Sequence, residues 1–205
     1  TAHALTVDAE RAANVHSYNN VIVATGGIGA GSAAVGVTVL DDKSSTQSML
    51  THTDLTHGGI YDTTSKVNVL ANNNTHVETE LGSGQISASI GAVGGVGVEC
   101  VNMEALVGVT VDDATISKDA SGHAYKEFNA LANNRLYNKF TNAIASGSTL
   151  GAVMVGVGDV NINSKTFTNI NNVNAYADAI AVKANEYRTA EAVFVAASVA
   201  AGLTV

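Results

Sequence analysis

The side chains able to do chemistry are few and scattered. Of six histidines, His52 and His57 are the nearest pair, with no cysteine or carboxylate motif around them. Metal sites set such ligands at characteristic close spacings, so these read as histidines of exposed loops. Asp41-Asp42 and Asp112-Asp113 each follow an alternating valine run, which puts them at equivalent places. Calcium wants six or more oxygens, and the glycine-aspartate nonapeptide pattern of calcium-binding repeats is absent. The pairs read as solvated acidic corners. No base stands beside them to give two carboxylates the contrasting proton affinities of acid-base catalysis. The stretch from Val21 to Ala34 contains Gly29-x-Gly31-x-x-Ala34, a permissive match to a dinucleotide-binding turn. That turn needs a helix after the glycines and an acid well downstream. Val35 to Leu40 instead continues as a strand and Asp41 comes too early, so the glycines read as points of close chain packing. No nucleophile elbow, H-E-x-x-H or P-loop occurs. No cofactor, metal or catalytic residue is expected, and the chain is not read as an enzyme.

What positions these residues follows from composition. The 205 residues hold no proline, no tryptophan and one cysteine, with 46% hydrophobic and only 14% charged residues. A chain of this length would ordinarily carry about ten prolines. Alanine and valine dominate the apolar share, so a narrow interior of small side chains is expected, and the low charge argues against disorder. The net charge of -8 leaves no basic patch for phosphate, which excludes nucleic acid as a partner. No apolar stretch approaches the roughly 18 residues of a membrane helix, so no membrane insertion of this segment is expected. Cys100 has no partner for an internal disulfide and shares the parity of Val96 and Val98, which points it inward. Thr1 and the closing Ala-Ala-Gly-Leu-Thr-Val suggest a segment of a longer protein.

Alternation dominates the pattern: Val35 to Val39, Val67 to Val69, Ile86 to Ile90, Val107 to Val111 and Val160 to Ile162 all repeat with a period of two. These are strand signals. Between them lie Asp41 to Ser45, Ala71 to Thr75, Gly82 to Gly84 and Asn169 to Asn172, whose polar composition predicts turns. A glycine run leading to an alternating strand and a polar segment recurs at Gly29–Leu40, Gly91–Asn102, Gly151–Ile162 and Ala196–Val205, with uneven spacing. A unit unable to bury its own apolar face must stack on copies of itself, which predicts an all-β fold, a parallel β-helix or solenoid spanning 1–205. Proline is excluded from such ladders, and Asn tolerates sharp corners. One segment departs: Tyr125, Phe128, Ala132, Leu136, Phe140 and Ile144 recur every three or four positions, after Asp119 and Ser121 as caps. This predicts a helical insertion near 122–145. A second short helix is expected from Val7 to Val15.

The units Ile28 to Asp42 and Ser89 to Val98, with Val67 to Thr75 and Val160 to Lys165 as their polar faces, resemble the passenger arrays of large bacterial surface exoproteins of the filamentous haemagglutinin and leukotoxin-like adhesin type. The resemblance covers most of the chain outside 122–145 and is compositional. It implies a right-handed parallel β-helix, secretion to a Gram-negative-type cell surface and display as an elongated rod. No catalytic residue follows from it.

The expected function is that of an adhesin segment, a stiff rod presenting binding loops to a receptor or glycan on a host or neighbouring cell. The expected binding residues lie where aromatics and histidines interrupt the small-residue pattern: His52, Asp54, His57, Tyr61, His123, Tyr125, Phe128, Arg135 and Tyr137. One alternative is a self-assembling extracellular filament subunit associating end to end through open coil edges. Another is a polysaccharide-processing β-helix enzyme, against which the scarcity of charge speaks.

Overall fold

The computed structural model describes residues 1–25, 32–87, 92–148 and 151–200. They form seven long strands: β1 (Leu5–Thr25), β2 (Ser32–Thr56), β3 (Lys66–Ser87), β4 (Ala92–Ser117), β5 (Tyr125–Ser148), β6 (Gly151–Ala175) and β7 (Ala177–Ala200). The odd strands build one sheet in the order β1-β3-β5-β7, and the even strands a second in the order β2-β4-β6. Every ladder is parallel. The chain therefore changes sheet at each step and pairs each strand with the one two places on.

Three of the four sequence units stack on one another: Val35 aligns with Val96 and Val155, and Gly36 with Gly97 and Gly156. Half of the fourth, residues 201–205, lies outside the described residues, as do Gly29 and Gly31 of the nucleotide-like run.

The expected helix at 122–145 is strand β5. Phe128, Ala132, Leu136, Phe140 and Ile144 are four apart, and four is twice the strand period. All five are buried on one face. The alternation is hidden because the intervening inward positions Asn134, Asn138 and Asn142 are polar yet buried. The expected helix from Val7 to Val15 is likewise part of β1.

The polar clusters read as turns also lie inside strands. Parallel stacking places like on like, so an Asn within a strand meets its equivalent one rung away and its amide is satisfied there. Asn133 Nδ2 donates to Asn72 Oδ1 at 2.9 Å, and Asn185 Nδ2 donates to Asn133 Oδ1 at 2.9 Å. A second outward ladder runs from Asn161 through Asn102 to Asp41. The Asp pairs do not share a register, since Asp41 aligns with Asn102 whereas Asp112 aligns with Thr51 and Asn171.

The two sheets pack face to face. Near one end of the strands the interior is apolar, with Val67, Val69, Val109, Ile116, Tyr125 and Phe128 buried together. A smaller cluster of Val77, Val101, Met103, Ala105 and Leu136 lies further along. Between them runs an inward polar column in register, Arg11–Asn73–Asn134–Glu186. Asn73 Nδ2 donates to Asn134 Oδ1 at 2.8 Å. The ends are ionic: Arg11 pairs with Asp42 at 2.8 Å, and Glu186 with Arg188.

Beyond this column the parity of the valine-glycine runs is the reverse of the expected one. Glycines face in and valines face out, with Val35 and Val37 61% and 53% exposed. The cause is close approach of the sheets: a Cβ on Gly97 would lie 2.8 Å from Asn142 Oδ1, and one on Gly158 would lie 2.3 Å from the Phe140 ring. Only glycine fits inside, which forces its neighbours outward. Cys100 follows the valines and sits half-buried on the outer side, beside Val39 and Asp159 in the ladder.

Candidate binding site

The segments joining β2 to β3 and β4 to β5 meet at the apolar end of the stack, together with the first residues of the chain. Ala2 bridges to His57, and the Gly58 amide donates to the Ala2 carbonyl at 3.0 Å. Two glycines with positive φ, Gly59 (98°) and Gly122 (86°), let these segments reverse.

This convergence assembles side chains far apart in sequence. The Tyr61 ring stacks on His123 with centroids 5.1 Å apart, and Lys126 Nζ lies 3.8 Å from the centre of the same Tyr61 ring. Lys126 also pairs with Asp178 at 2.9 Å, while the Tyr61 hydroxyl donates to Asp178. The hydroxyl of Tyr61 and the carboxylate of Asp178 hold the Lys126 ammonium above its ordinary pKa, and the same contacts hold Asp178 below the usual carboxylate range. Asp119 is likewise held low, chiefly by the His123 amide and further by the His123 ring and the Ser121 amide, against the opposing effect of burial. Its carboxylate lies 3.1 Å from His123 Nδ1 and 3.5 Å from the buried His57 Nδ1. These acids and bases are paired with one another, which fixes the loops and leaves His123 and Asp178 half-exposed at the rim.

A second feature sits where the long strands kink. His52, Asp113 and Asn172 all adopt φ of 49° and are skipped by the ladders. They stack one above another, with Asn172 donating to Asp113 and His52 Nε2 3.5 Å from Asp113 Oδ2. Each inserted residue shifts the inward parity by one, so Val111 and Ala114 both face the core.

The outward face of the four-strand sheet carries the third feature, a cleft of about 380 Å³ lined by Asn72, Asn133, Asn185, Arg135 and Tyr187 among others. The Arg135 guanidinium lies 5.7 Å from the Tyr187 ring centre, and Tyr137 stacks on His76 at 4.4 Å. Amides at the rung spacing, a guanidinium and flat rings on one sheet face suit a polar, extended ligand with ring faces and hydroxyls.

The nine expected residues divide accordingly. His57, Tyr61, His123 and Tyr125 come together at the loop end, and Arg135 and Tyr137 lie on the sheet face. His52 belongs to the kinked column, and the exposed Asp54 sits on β2 beside Thr115. Phe128, Tyr125 and His57 are corrected from contact residues to interior ones. Phe128 is 2% exposed in the apolar core, and the Tyr125 hydroxyl donates to the Ala2 carbonyl at 2.7 Å. His57 is 1% exposed against the Tyr125 ring, not in an open loop. The sequence reading missed Lys126, Asp178, Tyr187 and the Asn ladders. The recurrence of Asn72-Asn73 as Asn133-Asn134 was the available signal for the ladders. Among the described residues no group of three or more His, Cys, Asp and Glu is arranged to hold a metal ion. No family model, curated protein or solved structure matches this chain.

Proposed function

We propose that the chain is a rod-forming segment of a secreted or surface-displayed adhesin of bacterial type, a parallel β-solenoid whose coil consists of two long strands. The observation that carries this reading is the register: strands two apart align in parallel about one coil further along the chain, and stretches of them match in kind, with valine on valine, glycine on glycine and asparagine on asparagine. Such stacking transmits length and stiffness, because every coil is held by continuous main-chain ladders. Recognition falls to the outer face of the four-strand sheet, where Arg135, Tyr187 and the Asn72–Asn133–Asn185 row offer amides, a cation and rings to a glycan of a neighbouring or host cell surface.

Glycan-array binding tests this reading. The expected outcome is retention of a restricted set of glycans by the wild-type chain and at least a several-fold loss in Tyr187→Ala and Arg135→Ala, both exposed positions whose change leaves the fold intact. No binding to any glycan removes the recognition part and leaves a spacer.

A further inference from the structure

We propose that the end of the stack opposite the Tyr61–His123 loops enters the hydrocarbon of a lipid bilayer, with both outer sheet faces against acyl chains. This goes beyond glycan recognition, whose cleft at Arg135 and Tyr187 lies on the charged side of a sharp boundary.

Residues 17–40, 81–98, 140–158 and 192–205 contain no Asp, Glu, Lys, Arg or His. The parallel registers gather the described parts of these stretches at one end. Asn19 aligns with Leu81, Asn142 and Phe194, and Val37 with Val98 and Val157. Asn19 Nδ2 donates to the Val37 carbonyl at 3.2 Å, which sets the two sheets level. Charge stops at the same height on both outer faces. On the four-strand sheet the last charged row is His16–Glu78–Lys139–Glu191, followed only by Glu80 beside the exposed Tyr18. On the three-strand sheet the row Asp41–Asn102–Asn161 is followed only by Asp159 beside Cys100.

Within that boundary the sheets are turned inside out. Ser83, Asn142 and Ser146 are buried between the sheets, while Gly82, Gly84, Ala143 and Ala145 face out. Across the stack Gly95 and Gly97 face in, and Val96 and Val98 face out between the exposed Val35, Val37, Val155 and Val157. Strands in lipid alternate in this sense, apolar outward and polar inward. The pattern is carried by the central strands β3, β4 and β5, which are paired on both sides, so their main chain is satisfied without water. From Asn19 to Thr25 the rungs extend about 20 Å at ~3.3 Å per residue, deeper than the roughly 15 Å of one leaflet. Tyr18 then stands at headgroup level, where tyrosine is favoured.

A protein partner covers one face of a sheet stack, whereas a bilayer meets both faces at one height. Its hydrocarbon, which accepts no charge, complements a surface that bears none. Among the described residues no helix is long and apolar enough to cross a membrane. The expectation of no insertion rests on helix length, and that criterion does not extend to strands.

Flotation with phosphatidylcholine vesicles tests the inference, because a zwitterionic surface leaves charge attraction out of the result. The chain is expected to float with the vesicles. Val98→Lys, on the central strand, is expected to lower the bound fraction about tenfold or more with its circular dichroism spectrum retained, and Asp54→Lys, near the loop end, to leave it unchanged. A depth measurement adds a second reading. In a Cys100→Ser background, a dye on Val37→Cys or on Ala143→Cys, one for each outer face, is expected to be quenched by lipids brominated in their acyl chains, and a dye on Asp54→Cys is not. Flotation indifferent to Val98→Lys, or quenching on one face alone, overturns the insertion. A wild-type chain that stays in the aqueous fraction with a β-sheet spectrum overturns it too. A lipid-free dimer abolished by Val98→Lys would then assign the faces to a second copy. None of these results touches glycan recognition, which the array decides.

Discussion

The two ends of the same strands enclose different interiors. Toward the loops, Val67, Val69, Val109, Val111 and Phe128 fill the space between the sheets with apolar side chains. Toward the other end the facing positions hold Gly97, Glu99, Asn138 and Asn142, and neither amide atom of Asn138 meets a partner among the described residues. Both ends keep the same parallel ladders. The difference teaches that backbone stacking sets the architecture, whereas side-chain burial sets how strongly each part of it holds.

The largest effect that would test this contrast is at Phe128. Phe128→Ala removes a ring from the apolar end and should cost about 3–5 kcal/mol, read from the denaturant midpoint. A cost below ~1 kcal/mol would show that this end is no better packed than the other.

A pH titration of stability probes the polar end. Burial raises the Glu99 pKa, the neighbouring Glu80 adds to the rise, and the Thr79 hydroxyl counters it. The folded form therefore holds its proton to higher pH than the unfolded form. Its contribution is fully present below the unfolded value and is lost as pH rises through the raised folded value. Glu99→Gln should flatten that loss and leave the acidic side of the curve unchanged. An unaltered slope in the variant would place the pH dependence on other groups.

The smallest effect belongs to the outer ladders, common to both ends. Asn133→Ala breaks two amide contacts of a half-buried row and should cost about 0.2–1 kcal/mol per contact. Thermal unfolding of this variant beside Phe128→Ala ranks ladder against core.

Strand content and parallel stacking were legible because valine alternation and the absence of proline are direct demands of the ladder. Three features were not. The period of four in β5 fits a helix face and a strand face equally, and only the burial of Asn134, Asn138 and Asn142 separates them. The parity of the valine-glycine runs depends on how closely the second sheet approaches, which no single strand encodes. The Asn clusters looked like turns because an isolated strand gives them no partner, and the partner arrives only from the next strand of the same sheet. At the candidate site, Tyr61, His123, Arg135 and Tyr137 were legible as departures from the small-residue pattern. Lys126, Asp178 and Tyr187 were not, because their meaning comes from rung neighbours distant in sequence.

The spacing of the ladders also governs how the chain reaches this state. The stacked asparagines Asn68 and Asn129 are 61 residues apart, and Asn133 and Asn185 are 52 apart. Among the described residues every ladder is parallel and no hairpin offers a cheap local start, so the first rung must close a loop of that size before any ladder forms. Formation is therefore slow to begin and quick to continue, because a completed strand pair offers the next strand a template along its whole length. Addition of strands in the order of synthesis is the route this topology rewards.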